Sequence, residues 1–130
     1  YSWTRKRAKL LGTEDKFFEG QQLHLHIPAG ATKKDGPSAG ITMAAALLLL
    51  VCGKRMARSV AMTGELSLTG DVLPIGGLKE KVIAAKRNRI RKIIIPTSNE
   101  SDISDIPERV LHGLTFYPVR TMEEVIEAIL

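Results

Sequence analysis

Apolar and polar positions follow two different periods along this chain, and the switches between them mark out its elements. Ser2–Leu11 brings Trp3, Ala8, Leu10 and Leu11 within reach of one helical face and stops at Gly12. Gln21–Pro28 changes to period two, with Leu23, Leu25 and Ile27 on one side and His24 and His26 on the other, the pattern of a half-buried strand. From Ile41 to Cys52 the chain is apolar apart from Thr42. That run is too short for a bilayer of about 30 Å and reads as the body of a buried helix, Pro37–Gly53. Pro37 sits at or near the first position, where a missing N–H costs nothing.

Beyond this helix, Ser59–Thr63 and Glu65–Pro74 read as strands separated by Gly64, and Thr69-Gly70-Asp71 suggests a hairpin turn. Leu78, Val82, Ile83 and Ala85 recur at helical spacing after Gly76-Gly77, which predicts a helix over Leu78–Asn88. Ile93-Ile-Ile95 before Pro96 is a short buried strand. Thr97-Ser98-Asn99-Glu100 carries helix-capping chemistry ahead of a short helical segment, and Pro107–His112 adds a turn or two. Thr115–Val119 is a last strand, and Thr121–Leu130 a last helix capped by Thr121 with Glu123 and Glu124 in its first turn. Alternating strands and helices with at least one hairpin give an α+β class, a mixed sheet with flanking helices.

The 130 residues, 44% of them hydrophobic, suffice for one globular domain, residues 1–130. Nothing caps Tyr1, so the first helix reads as the continuation of a longer pattern and the chain as a fragment. No apolar segment follows the basic start as a secretory signal would require, and no membrane partner is expected. A single cysteine, Cys52, excludes an intrachain disulfide and suits a reducing compartment. The net charge of +5 invites nucleic acid. The basic residues, however, are scattered over Arg5–Lys9, Lys33–Lys34, Lys54–Arg58 and Lys86–Lys92 without interleaved aromatics. Weak DNA contact, or contact with an acidic partner, is therefore a secondary expectation.

Candidate chemistry centres on Ser38, between small residues at the start of the buried helix. A helix N-terminus carries roughly half a positive charge and several unpaired N–H donors, which suit a developing oxyanion. Gly36-Pro-Ser-Ala-Gly40 matches the G-x-S-x-G pattern, but the residues before it, Ala31–Asp35, form a polar loop where a nucleophile elbow needs a strand. A Ser–His–Asp triad using His24, His26 or His112 is accordingly weak. No H-E-x-x-H or C-x-x-C accompanies the histidines, so no metal site is expected, and no phosphate loop of the G-x-x-x-x-G-K-[ST] type is present. There remains serine with lysine. An amine takes a proton only while neutral, and both burial and the positive end of a helix dipole favour the neutral form. Lys81 meets both conditions, standing in the first turn after Gly76-Gly77 and before Val82-Ile-Ala-Ala85. Lys79, on a different side of the same helix, is its competitor.

Lys34-Asp-Gly-Pro-Ser-Ala-Gly40, Met62-Thr-Gly-Glu65 and Leu73-Pro-Ile-Gly-Gly-Leu-Lys-Glu-Lys81, in this order and spacing, resemble the proteolytic domain of the ATP-dependent Lon proteases. The resemblance runs nearly end to end, from His24-Leu-His-Ile-Pro28 to Glu123-Glu-Val125. It implies the Lon protease domain fold (ribosomal protein S5 domain 2-like) and a serine endopeptidase acting through an acyl-enzyme. By position it puts the nucleophile on Ser38 and the general base on Lys81, not Lys79. It puts on Thr63 a hydroxyl that holds the lysine amine, and on Asp35 the aspartate that occupies the site in an inactive arrangement. His24 and His26 match strand histidines that support the groove, and backbone N–H groups from Gly36 to Ala39 would hold the oxyanion. The resemblance further implies polypeptide substrates, unfolded, damaged or regulatory, and a hexamer in the complete protein. ATP and Mg would serve an upstream AAA+ module that, with the first strands of the domain, is not in this sequence; this chain itself needs no cofactor. Bacterial cytoplasm or the mitochondrial matrix would be its compartment. The competing expectation is a non-catalytic assembly or DNA-contacting module of the same fold.

Overall fold

The computed structural model describes residues 1–10, 12–13, 17–26 and 36–130. Its centre is a parallel sheet in the order β1-β4-β5, formed by β1 (Val60–Met62), β4 (Lys92–Pro96) and β5 (Thr115–Val119). The register runs Ala61↔Ile93↔Phe116 and Met62↔Ile94↔Tyr117. The run Ile93-Ile-Ile95 makes the middle strand because both its faces are covered, so it needs no alternation of apolar and polar residues. Ile94 faces one core with Trp3, Ile41, Leu48, Met122, Val125 and Ile129. Ile93 and Ile95 face the other, with Leu78, Val82, Ala85 and Ile106.

Helices α1 (Ser2–Leu10), α2 (Gly40–Val51) and α5 (Met122–Ile129) build the first layer, and α3 (Leu78–Arg87) the second. α2 is apolar apart from Thr42 and packs on both α1 and α5, with Thr42, Ala46 and Leu50 on its exposed side. α5 starts where Thr121 accepts the Glu124 N–H, and Glu123 and Glu124 lie in its first turn, as expected of a capped, dipole-matched start. A 3₁₀ helix (Thr97–Asp105) and the short α4 (Glu108–Leu111) link β4 to β5.

In place of one mixed sheet there are two sheets. The antiparallel pair β2 (Glu65–Leu66) and β3 (Val72–Leu73) stands apart from the parallel one, packed on α2. The reason lies at Thr63-Gly64: the Thr63 N–H still donates to the Ile94 carbonyl of β4, whereas the next N–H, that of Gly64, turns to the Ser38 carbonyl, so the strand path leaves the parallel ladder there. The hairpin turn is tied by the hydroxyls of Thr69 and Ser67, which donate to the Asp71 carboxylate and hold it below the usual carboxylate range. The strand expected over Gln21–Pro28 is a second difference. Residues 21–26 join no ladder among the described residues, and the rest of that segment lies outside them. The alternation is still visible, since His24 and His26 stack with ring centroids 6.4 Å apart. Alternation orders side chains but does not supply a partner strand. Likewise the 3₁₀ helix begins behind Pro96 with no side-chain cap, so Thr97 does not play the capping part its sequence suggests.

Candidate active site

The segment bearing Ser38 is shaped by a turn ahead of α2 and not by the helix itself. Gly36 adopts φ 108°, the Gly40 N–H donates to the Pro37 carbonyl at 3.0 Å, and the helix begins at Gly40. Pro37 thus precedes the helix instead of opening it. The cause is the Ser38 carbonyl, which accepts from the Gly64 N–H at 2.9 Å and from the Thr63 hydroxyl at 3.3 Å. The Ile41 N–H returns a bond to the Gly64 carbonyl at 3.2 Å, closing a reciprocal clamp between the two chain segments. Only glycine fits at 64. A Cβ there would lie 2.8 Å from Val72 Cγ1 and 3.1 Å from Ile41 Cδ1.

Lys81 arrives from the other layer. Gly77, in the left-handed region at φ 68°, caps α3, and the Lys81 side chain stands in the first turn. Its Nζ lies 3.0 Å from Ser38 Oγ, joining residues 43 apart in the chain. Lys81 is half-buried while Lys79 and Glu80 are exposed, and of the two lysines it is Lys81 that reaches the serine. The start of α3 is fixed in turn by Asn99. This side chain is only 4% exposed; its Oδ1 accepts the Ile75 N–H at 3.0 Å and its Nδ2 donates to the Ile75 carbonyl at 2.9 Å. It also reaches Asp102 Oδ2 at 2.6 Å. The sequence marks Asn99 only as capping chemistry; its task of anchoring the loop before α3 depends on a contact across 24 positions.

Ser38 and Lys81 sit in an open groove of 390 Å³ that continues past Thr42, Met62, Ala84 and Asn88 to Ile90. That size is in the range of ligand clefts. Of the expected site residues, the structure brings together Ser38, Lys81 and Thr63. Thr63 differs in its partner, because its O–H is committed to the Ser38 carbonyl and not to the lysine amine. Gly36 lies in the adjoining turn. His24 and His26 are exposed and do not line the groove, and Asp35 lies outside the described residues. Among the described residues no group of three or more His, Cys, Asp or Glu could hold a metal ion, and no helix is long and apolar enough to cross a membrane.

An amine seated on a serine hydroxyl at the head of an open groove, assembled from two layers around a parallel sheet, defines a site of the serine–lysine hydrolase class. The chain belongs to the family of the Lon protease (S16) C-terminal proteolytic domain, whose model matches residues 1–130. It is 52% identical over 126 residues to the Lon protease of Brevibacillus choshinensis and 51% identical over 127 residues to Lon protease 1 of Bacillus subtilis (strain 168). Those matches cover 97% and 98% of this chain. To the Lon protease of Treponema pallidum it is 53% identical over 126 residues, 96% of the chain. The matched stretch makes up only 14% to 16% of the length of these relatives.

Proposed function

We propose that this chain is the peptide-cleaving domain of an ATP-dependent Lon protease, with Ser38 as nucleophile and Lys81 as general base. The observation that carries this reading is the 3.0 Å separation of Lys81 Nζ and Ser38 Oγ at the head of the groove. In its neutral form the amine takes the hydroxyl proton as Ser38 Oγ attacks the scissile carbonyl. It then returns that proton to the leaving amine, and water releases the acyl group by the same route. Among the described residues the Ser38 and Ala39 N–H groups donate to no acceptor, which leaves them available to the oxyanion. Thr63 acts one step back, as a positioning residue that holds the Ser38 backbone.

In the complete protein we place this domain in a hexamer behind an AAA+ module that uses ATP and Mg to deliver unfolded, damaged or regulatory proteins. The Lon (ribosomal protein S5 domain 2-like) fold and a cytoplasmic location accompany the same reading. The test is direct. A boronate or serine-directed inhibitor attaches at Ser38, read by mass spectrometry, and Ser38→Ala and Lys81→Ala in the complete protein each lower peptide cleavage by about a thousandfold or more. Near-parental cleavage by either variant overturns the dyad.

A further inference from the structure

A second cavity, of 460 Å³, adjoins the far end of the groove and is lined by Lys86, Arg89, Arg91 and His112 with Ile90 and Leu114. No carboxylate lines it. Lys86 builds its wall without being free to bind anything else, since its Nζ donates to the carbonyls of Arg109 at 2.6 Å, Val110 at 2.8 Å and His112 at 3.0 Å. Arg89 and Arg91 are different. Among the described residues their guanidinium groups have no hydrogen-bond or ion-pair partner; the ion pair present is Arg7 with Glu123, elsewhere.

Arg89 is also held in a conformation that an arginine does not favour. Its φ is 60°, in the left-handed region. The Ile90 N–H bonds the Ala85 carbonyl at 3.0 Å and the Arg89 N–H bonds that of Lys86 at 2.9 Å, which is the Schellman ending of α3 with Arg89 where glycine is usual. Strain of this kind at a residue with a long charged side chain points to a use for the side chain. The cavity's position suggests the use: Ile90 lines both this cavity and the Ser38–Lys81 groove. At about 1.5 Å per helical residue, the cavity begins at Lys86 roughly 8 Å from Lys81 and reaches Arg89 roughly 12 Å from it. An extended peptide covers that in about four residues.

We propose that Arg89, Arg91 and His112 form a subsite for an acidic side chain of the peptide substrate, about four residues from the scissile bond; this rests on the Ser38–Lys81 reading of the groove. Guanidinium forks match a carboxylate in charge and shape. The site is exposed, so its effect is a preference of about fivefold and not an absolute requirement.

The experiment uses the complete protease and two peptide series in which a single Glu, or Gln at the same place, is moved along each side of the scissile bond. One placement about four residues away gives a Glu-to-Gln ratio of kcat/KM near five. Arg89→Gly with Arg91→Gln brings that ratio to about one, and Arg89→Gly suits the left-handed backbone, so an unchanged or raised melting temperature excludes unfolding as the cause. Equal cleavage of both series by the parent enzyme overturns the subsite alone. Near-parental cleavage of either series by Ser38→Ala overturns the dyad reading and the subsite with it. A ratio that survives in the variant also overturns the subsite, as does an unchanged ratio accompanied by lost binding of a short oligonucleotide, which would assign the cavity to phosphate.

Discussion

At the scale of single residues, the orientation of Ser38 depends on one backbone carbonyl. Because Gly64 and Thr63 both donate to it, the serine is fixed from behind by the segment that follows β1. Gly64→Ala puts a methyl 2.8 Å from Val72 Cγ1, forcing the segment that carries the clamp to shift. It is expected to lower stability by about 1–3 kcal/mol, read from the denaturant midpoint. It should also reduce kcat more than it raises KM for a short peptide, because the displaced group orients the nucleophile. In the sequence this residue shows as a break between strands and as part of Met62-Thr-Gly-Glu65, but its clamp on the Ser38 carbonyl does not. Thr63 was visible as a site residue through its motif, yet its bond to the Ser38 carbonyl was not, since that bond depends on the path of the turn ahead of α2.

Among the elements, α3 matters most, and it is placed by a buried amide. Asn99→Ala leaves both the N–H and the carbonyl of Ile75 without their partners. Both Ile75 groups are only partly buried, so the expected cost for the pair is about 1–3 kcal/mol. Hydrogen exchange should show faster opening at Ile75 and in the first turn of α3 than in β5. Leu78–Arg87 itself was legible almost to the residue, because Leu78, Val82 and Ala85 report a helical face that the second core buries. Thr115–Val119 was legible too, and Thr121 as the cap of α5. Residues 21–26, by contrast, join no ladder among the described residues: their alternation orders side chains, but strand pairing is a property of two segments. Pro37 misled because its fixed φ suits a turn as well as a helical start.

For the molecule as a whole, the decisive fact is that one strand serves two cores. Ile94 enters the layer of α2 and α5, while Ile93 and Ile95 enter that of α3. The uninterrupted apolar run announced a doubly covered strand, whereas the separation of the β2–β3 hairpin from the parallel sheet left no mark, since it follows from the bend at Thr63-Gly64. Ile95 is fully buried in the second core, and Trp3, the single tryptophan, lies in the first. Ile95→Ala is expected to cost about 3 kcal/mol. The fluorescence of Trp3, on the far side of the sheet, should report the same lowered midpoint as circular dichroism. A tryptophan transition that stays at the parental midpoint would mean that the two cores melt separately.

The same division bears on how the chain behaves while it is being made. Ser38 rides on one layer and Lys81 on the other, and they meet only when both have closed on β4. A newly synthesised copy that has collapsed half of itself holds an ordinary serine alcohol with no base beside it. On the proposed dyad mechanism, such a copy has no activated nucleophile until its two layers have closed together.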